Sequence, residues 1–161
     1  MATATSSSPE GTIRRQWEKW SPLPGGRRMF SFLLGRLVPY TGTIGARVEE
    51  LKPGYARAVL RDRRRVRNHL RSVHAIALMN LAELVSGLAL NFALPPDARS
   101  ILKGLSIDFT KKARGTLTGE STAPVLQDNA ERELEVEATI RDEVGDVVAT
   151  ARARWLVGPR K

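Results

Sequence analysis

The spacing of apolar positions changes several times along the chain, and each change marks an element. Ile13, Trp17 and Trp20 recur at i, i+4 and i+7, and Met29, Phe30, Leu33, Leu34 and Leu37 repeat that spacing after the break Pro22-Leu23-Pro24-Gly25-Gly26. Two short amphipathic helices are predicted there. The small, polar stretch before them, residues 1–10, reads as a disordered tail without the basic-then-apolar order of an export signal. From Thr43 the period falls to two, with Ile44, Ala46 and Val48 against Gly45, Arg47 and Glu49, and Pro53-Gly54 then turns the chain into Tyr55–Arg61 as a hairpin. Val73–Leu94 is different in kind. Its only formally charged side chain is Glu83, so the spacing predicts a helix apolar on nearly every side, which must be buried, and Pro95-Pro96 stops it.

Period two then returns, in Leu105, Ile107 and Phe109, in Leu134, Val136, Ala138 and Ile140, and in Val147, Ala149, Ala151, Ala153 and Trp155. Gly115–Glu120 supplies one more strand, and Glu143-Val144-Gly145-Asp146 a hairpin turn that brings Glu133, Glu135 and Glu137 near Arg152 and Arg154. The order is α+β: N-terminal helices, two strands, a long buried helix, and about four more strands. An antiparallel sheet of about six strands must curl around that helix within a single domain over residues 11–161. One sheet cannot cover the helix on all sides, which predicts a homodimer, alone or paired into a tetramer.

Composition narrows the chemistry. A chain of 161 residues, 42% of them hydrophobic, can build a core without staples, and the absence of cysteine removes disulfides, zinc-thiolate sites, iron–sulfur clusters and a thiol nucleophile together. It also fits a reducing, cytoplasmic setting. The net charge of +9 favours anionic partners.

The stretch Asn68 to Glu83 carries the candidate chemistry. It sets an amide (Asn68), an imidazole (His74), a helix N-terminus (Ala75, Ile76) and a carboxylate in apolar surroundings (Glu83) within one segment. Alone, Asn68 fits a turn or cap and His74 a structural histidine. A carboxylate in an apolar helix is costly unless paired, neutralised or facing a polar cavity, and Asn80 and Ser86 at i−3 and i+3 give it a narrow polar stripe. Nine steps separate His74 from Glu83, which on an α-helix is about 900° of rotation and about 13.5 Å of rise. They lie on opposite sides, so a site using both must combine Glu83 of one protomer with Asn68, His74 and the helix N-terminus of its partner.

This run resembles the signature of hotdog-fold acyl-CoA thioesterases, above all the phenylacetic-acid-pathway type. That signature is Asn, five intervening residues, His-Gly-Gly, then Leu-Ala-Asp/Glu ending nine residues after the His. Asn68, His74 and Leu81-Ala82-Glu83 match in identity and spacing, and the order of elements matches from Val38 to Val157. Ala75-Ile76 stands where the family has Gly-Gly, which keeps the backbone donor but adds a methyl group beside the thioester oxygen.

The resemblance implies a hotdog fold and thioester hydrolysis. Glu83 would be general base or nucleophile, and Asn68, His74 and the amide of Ala75 or Ile76 would polarise the carbonyl, with Asn80 beside the substrate. The substrate would be an acyl-CoA or an acyl carrier protein thioester; no cofactor is expected beyond coenzyme A as part of it, and no metal. Its phosphates would meet Arg65 and Arg67 of the run Arg61–Arg67, and Lys111, Lys112 and Arg114. A hotdog protein that binds such thioesters without turnover is the alternative. A dehydratase lacks its His-Phe-Pro-Gly context, and nucleic-acid binding lacks aromatic residues among the arginines. A membrane span over Val73–Leu94 is interrupted by His74, Asn80, Glu83 and Asn91.

Overall fold

The computed structural model describes residues 9–160, with side chains from Gly11 onward. Residues 1–8 of the predicted tail lie outside the described residues. Both amphipathic helices form, as α1 (Pro9–Trp20) and α2 (Gly26–Leu37). Trp17 and Phe30 tie them together edge to face, ring centroids 5.0 Å apart. Only Phe30 and Leu34 of the predicted apolar face of α2 are buried side chains; Met29 and Leu37 stay exposed. A short helix that the periodicity did not show, α3 (Pro39–Gly42), begins on a proline suited to a first helical turn.

The strands are β1 (Arg47–Lys52), β2 (Tyr55–Arg61), β3 (Ala98–Phe109), β4 (Thr116–Thr122), β5 (Arg132–Arg141) and β6 (Val147–Pro159). They form one antiparallel sheet in the order β1-β2-β4-β5-β6-β3. β1 starts at Arg47, later than the alternation from Thr43 suggested: Gly45 turns the chain at φ 62°, and Ile44 reaches the core from that turn. β3 begins at Ala98, soon after the two prolines and well before the Leu105 alternation.

The long helix is α4 (Ala75–Asn91), shorter at both ends than Val73–Leu94. Val73 is extended, bridged to Arg67 and donating its N–H to Ala113 O at 2.8 Å, and His74 caps the helix. At the other end Phe92 closes the last turn before Pro95 is reached. α4 packs into the concave face of the curled sheet, against β2, β4 and β5. Gly119 on β4 makes that approach close, since a Cβ there would lie 2.9 Å from Leu81 Cγ. The register of β5 and β6 sets Glu135 opposite Arg154 and Glu137 opposite Arg152 as expected, while Glu133 lies across from Leu156 and pairs with Lys103 at 3.6 Å. Among the described residues no helix is long and apolar enough to cross a membrane.

Candidate functional site

One face of α4 is left uncovered by its own sheet. Ile76 is 49% exposed, and Met79 and Glu83, three and seven positions on, are half-buried, so they fall on one stripe of the helix. Every other residue from Ala77 to Leu90 is buried. Among the described residues the Glu83 carboxylate has no hydrogen-bond or ion-pair partner; the side-chain bond at this residue is Ser86 Oγ donating to its backbone carbonyl at 3.2 Å. The carboxylate therefore sits in an apolar wall, unpaired and open on one side.

The N-terminus of α4 supplies the donors. His74 is the cap residue, exposed, and its Nδ1 accepts the Ile76 N–H at 3.1 Å, while its carbonyl receives Ala77 N–H at 2.9 Å and Leu78 N–H at 3.1 Å. A ring that accepts at Nδ1 carries its proton on Nε2, pointing away from the helix. Ile76 is thereby engaged, and the Ala75 N–H is the first-turn amide left with no acceptor among the described residues. The two amides that the sequence could not tell apart are separated by this one bond.

Asn68 organises the loop that leads to His74. Its Oδ1 accepts the N–H of Leu70 at 2.9 Å and of Ser72 at 3.2 Å, and its carbonyl receives Arg71 N–H at 3.2 Å, holding Arg71 in the left-handed region at φ 55°. Its Nδ2 meets Ser72 Oγ only at 3.4 Å. Asn68, His74 and the first backbone amides of α4 thus share one corner, while the Glu83 side chain, in phase with that of Ile76, lies two and a half turns up the helix from His74 and on the side opposite to it.

Asn80 is buried and faces α3, its Nδ2 donating to Tyr40 O at 3.2 Å while its Oδ1 has no partner. The predicted basic rim divides. Lys111 Nζ is held by two carboxylates, Asp142 at 2.6 Å and Asp146 at 2.7 Å, which raise its pKa and lower that of Asp142. Arg67 is tied to Asp62 at 2.6 Å. Lys112, Arg114 and Arg65 are exposed and carry no ion pair among the described residues.

Sequence reasoning missed a cleft of about 1220 Å³ between α2, α3 and the end of β2, with Leu84 of α4 in its floor. Arg28, Phe32 and Arg36 line it from α2. Their i, i+4, i+8 spacing was a readable signal, hidden because Phe32 falls outside the apolar face used to predict the helix.

Residues 26–157 match the family described as a domain of unknown function, DUF4442. Among solved structures, a structural-genomics target is 28% identical, covering 92% of this chain and 99% of its own, with a TM-score of 0.81. A protein from Pseudomonas aeruginosa, named as of unknown function and "Probable Thioesterase", is 26% identical, covering 86% and 97%, with a TM-score of 0.74. A phenylacetic acid degradation-related protein from Ralstonia eutropha shares the fold at 20% identity, covering 73% and 89%, with a TM-score of 0.62. No curated protein matches the sequence.

Proposed function

Because the chain belongs to the DUF4442 family and has the hotdog fold of the thioesterase-like proteins, we propose that it hydrolyses an acyl or aryl-acyl thioester, carried by coenzyme A or by an acyl carrier protein, at a site shared between two copies of the chain. The observation that carries this reading is the unpaired Glu83 carboxylate on the uncovered apolar stripe of α4.

As general base, Glu83 takes a proton from water while the oxygen attacks the thioester carbonyl; the same carboxylate could serve by direct attack through an anhydride. Negative charge gathers on the carbonyl oxygen. The Ala75 N–H, the His74 Nε2–H and the positive end of α4 meet it, with the Asn68 amide as a further donor, each donor being worth about 3–4 kcal/mol in comparable sites. Collapse expels the thiolate, which recovers the proton.

Two features support assembly from two copies. His74 and Glu83 lie on opposite sides of one helix, and among the described residues β3 pairs only with β6, leaving its other edge open over a long strand with Ile101 and Phe109 exposed. Stripe residues Ile76 and Met79 beside Glu83 would be covered by the second copy and the acyl group.

Glu83→Gln keeps the shape and removes the charge. On a panel of acyl-CoA substrates it should reduce turnover by orders of magnitude with the dimer intact, and unchanged kinetics would refute the assignment. The Ala75 methyl group and the engagement of the Ile76 amide favour a second reading, binding without hydrolysis. That reading prevails where several thioesters bind and none is cleaved.

A further inference from the structure

The cleft beside α2 carries more positive charge than the fold needs. Arg28 and Arg36 reach it from α2, and Arg61, Arg63 and Arg65 from the end of β2 and the loop after it. Among the described residues none of these five guanidinium groups is paired with a carboxylate. The acid in the wall, Asp62, is already engaged by Arg67 and by the Gly115 N–H at 3.2 Å. Two of the arginines lie against Gly45: Arg63 donates to Gly45 O at 3.2 Å, and the Arg65 guanidinium occupies the space that a Cβ on Gly45 would need. Gly45 therefore serves both its positive φ and the approach of Arg65. Phe32, 61% exposed, lines the same cleft and lies one helical turn from each of Arg28 and Arg36 along α2.

We propose that this cleft seats the 3′-phosphorylated ADP end of coenzyme A, so that the thioester is a coenzyme A thioester; the assignment rests on the thioesterase reading above. Coenzyme A carries about four negative charges on three phosphate groups, and unpaired guanidinium groups meet phosphates through paired, charge-assisted hydrogen bonds. An exposed ring in a cationic cleft is a stacking platform for a base. At about 1220 Å³ the cleft exceeds the roughly 300–1,000 Å³ of an ordinary small-ligand pocket, which suits a ligand as large as coenzyme A, whereas a carrier protein offers a convex surface and one phosphodiester, which would leave the concavity empty. Leu84 lies in the cleft floor and is the next residue after Glu83, so a pantetheine arm leaving the arginines over Leu84 runs towards the turn of α4 that bears the carboxylate.

The test titrates the full chain with coenzyme A, dephospho-coenzyme A and adenosine 3′,5′-bisphosphate by calorimetry, for wild type, Arg36→Ala, Arg61→Ala, the double variant and Phe32→Ala, with thermal melts to confirm folding. Each arginine should cost about tenfold in coenzyme A affinity, as loss of a charge-assisted bond does. The bisphosphate should compete with coenzyme A. The ratio of kcat/KM for an acyl-CoA to that for the same acyl group on N-acetylcysteamine should fall by the same factor. Unchanged coenzyme A affinity in the folded double variant overturns the proposal, as does a bisphosphate that fails to compete, or duplex DNA that binds more tightly than coenzyme A and loses as much in the variants. Coenzyme A binding that is lost in the variants, in a protein that cleaves no thioester, upholds the cleft and removes the hydrolase reading alone.

Discussion

His74 Nδ1 accepts the backbone N–H of Ile76 at 3.1 Å, and this bond decides which groups at the helix start can still donate. It fixes the imidazole proton on Nε2, engages Ile76 and leaves the Ala75 amide. Asparagine at position 74 can keep the cap through its Oδ1, yet it does not place a donor where Nε2–H stands. His74→Asn should therefore melt within a few degrees of wild type while turnover falls about 10²-fold or more, the usual cost of one lost oxyanion donor. Equal losses of stability and activity would make His74 a cap and nothing else.

Asn68 has two functions that substitution can separate. Its Oδ1 shapes the loop through Leu70 and Ser72, and its Nδ2 is weakly held at 3.4 Å. Asn68→Asp retains the acceptor and deletes the donor. Stability should be kept and turnover lost, whereas Asn68→Ala should lose about 1–2 kcal/mol of stability as well, by analogy with removed caps. Full activity in the folded Asp variant would confine Asn68 to the loop.

The fold was legible largely because burial imposes its own period. Trp17 and Trp20, the helix around Glu83 and the alternating strands all followed from side chains that must face a core. The lengths of α4 and β1 were less legible, since His74 capping the helix and Gly45 turning the chain are local hydrogen-bond and backbone events that leave no period. In the candidate site, the placement of residues was legible where spacing alone decides, as for His74 and Glu83 on opposite faces of the helix. It was not where partners decide: Lys111 and Arg67 look like free cations in the sequence, and only the structure shows their aspartates. The reverse holds for Arg28 and Arg36, which stand out in no sequence pattern and gain a setting only because the end of β2 lies across the cleft from them.

The Lys111 clamp sets a pH dependence. Hydrogen bonds from Lys111 hold the Asp142 carboxyl below its usual 3.8, so that contribution is present above pH 3.8 and is lost as pH falls through the lower folded value. The same bonds raise Lys111 above its usual 10.5, so its contribution is complete below pH 10.5 and is lost as pH rises through the higher folded value. The melting difference between wild type and Lys111→Met should be widest between these limits and narrow on both sides. A difference that stays constant down to strong acid would contradict the clamp. Since two carboxylates already neutralise Lys111, the same variant should leave coenzyme A affinity within about twofold.

The most direct measurement of the central claim mixes two inactive proteins. Glu83→Gln and His74→Asn are each purified, unfolded, combined in equal amounts and refolded together. Random pairing makes half the dimers mixed, and each mixed dimer holds one site with both an intact Glu83 and an intact His74, so activity should return to about a quarter of wild type. Activity no greater than the sum of the two parents would show that Glu83 and His74 do not meet across two copies.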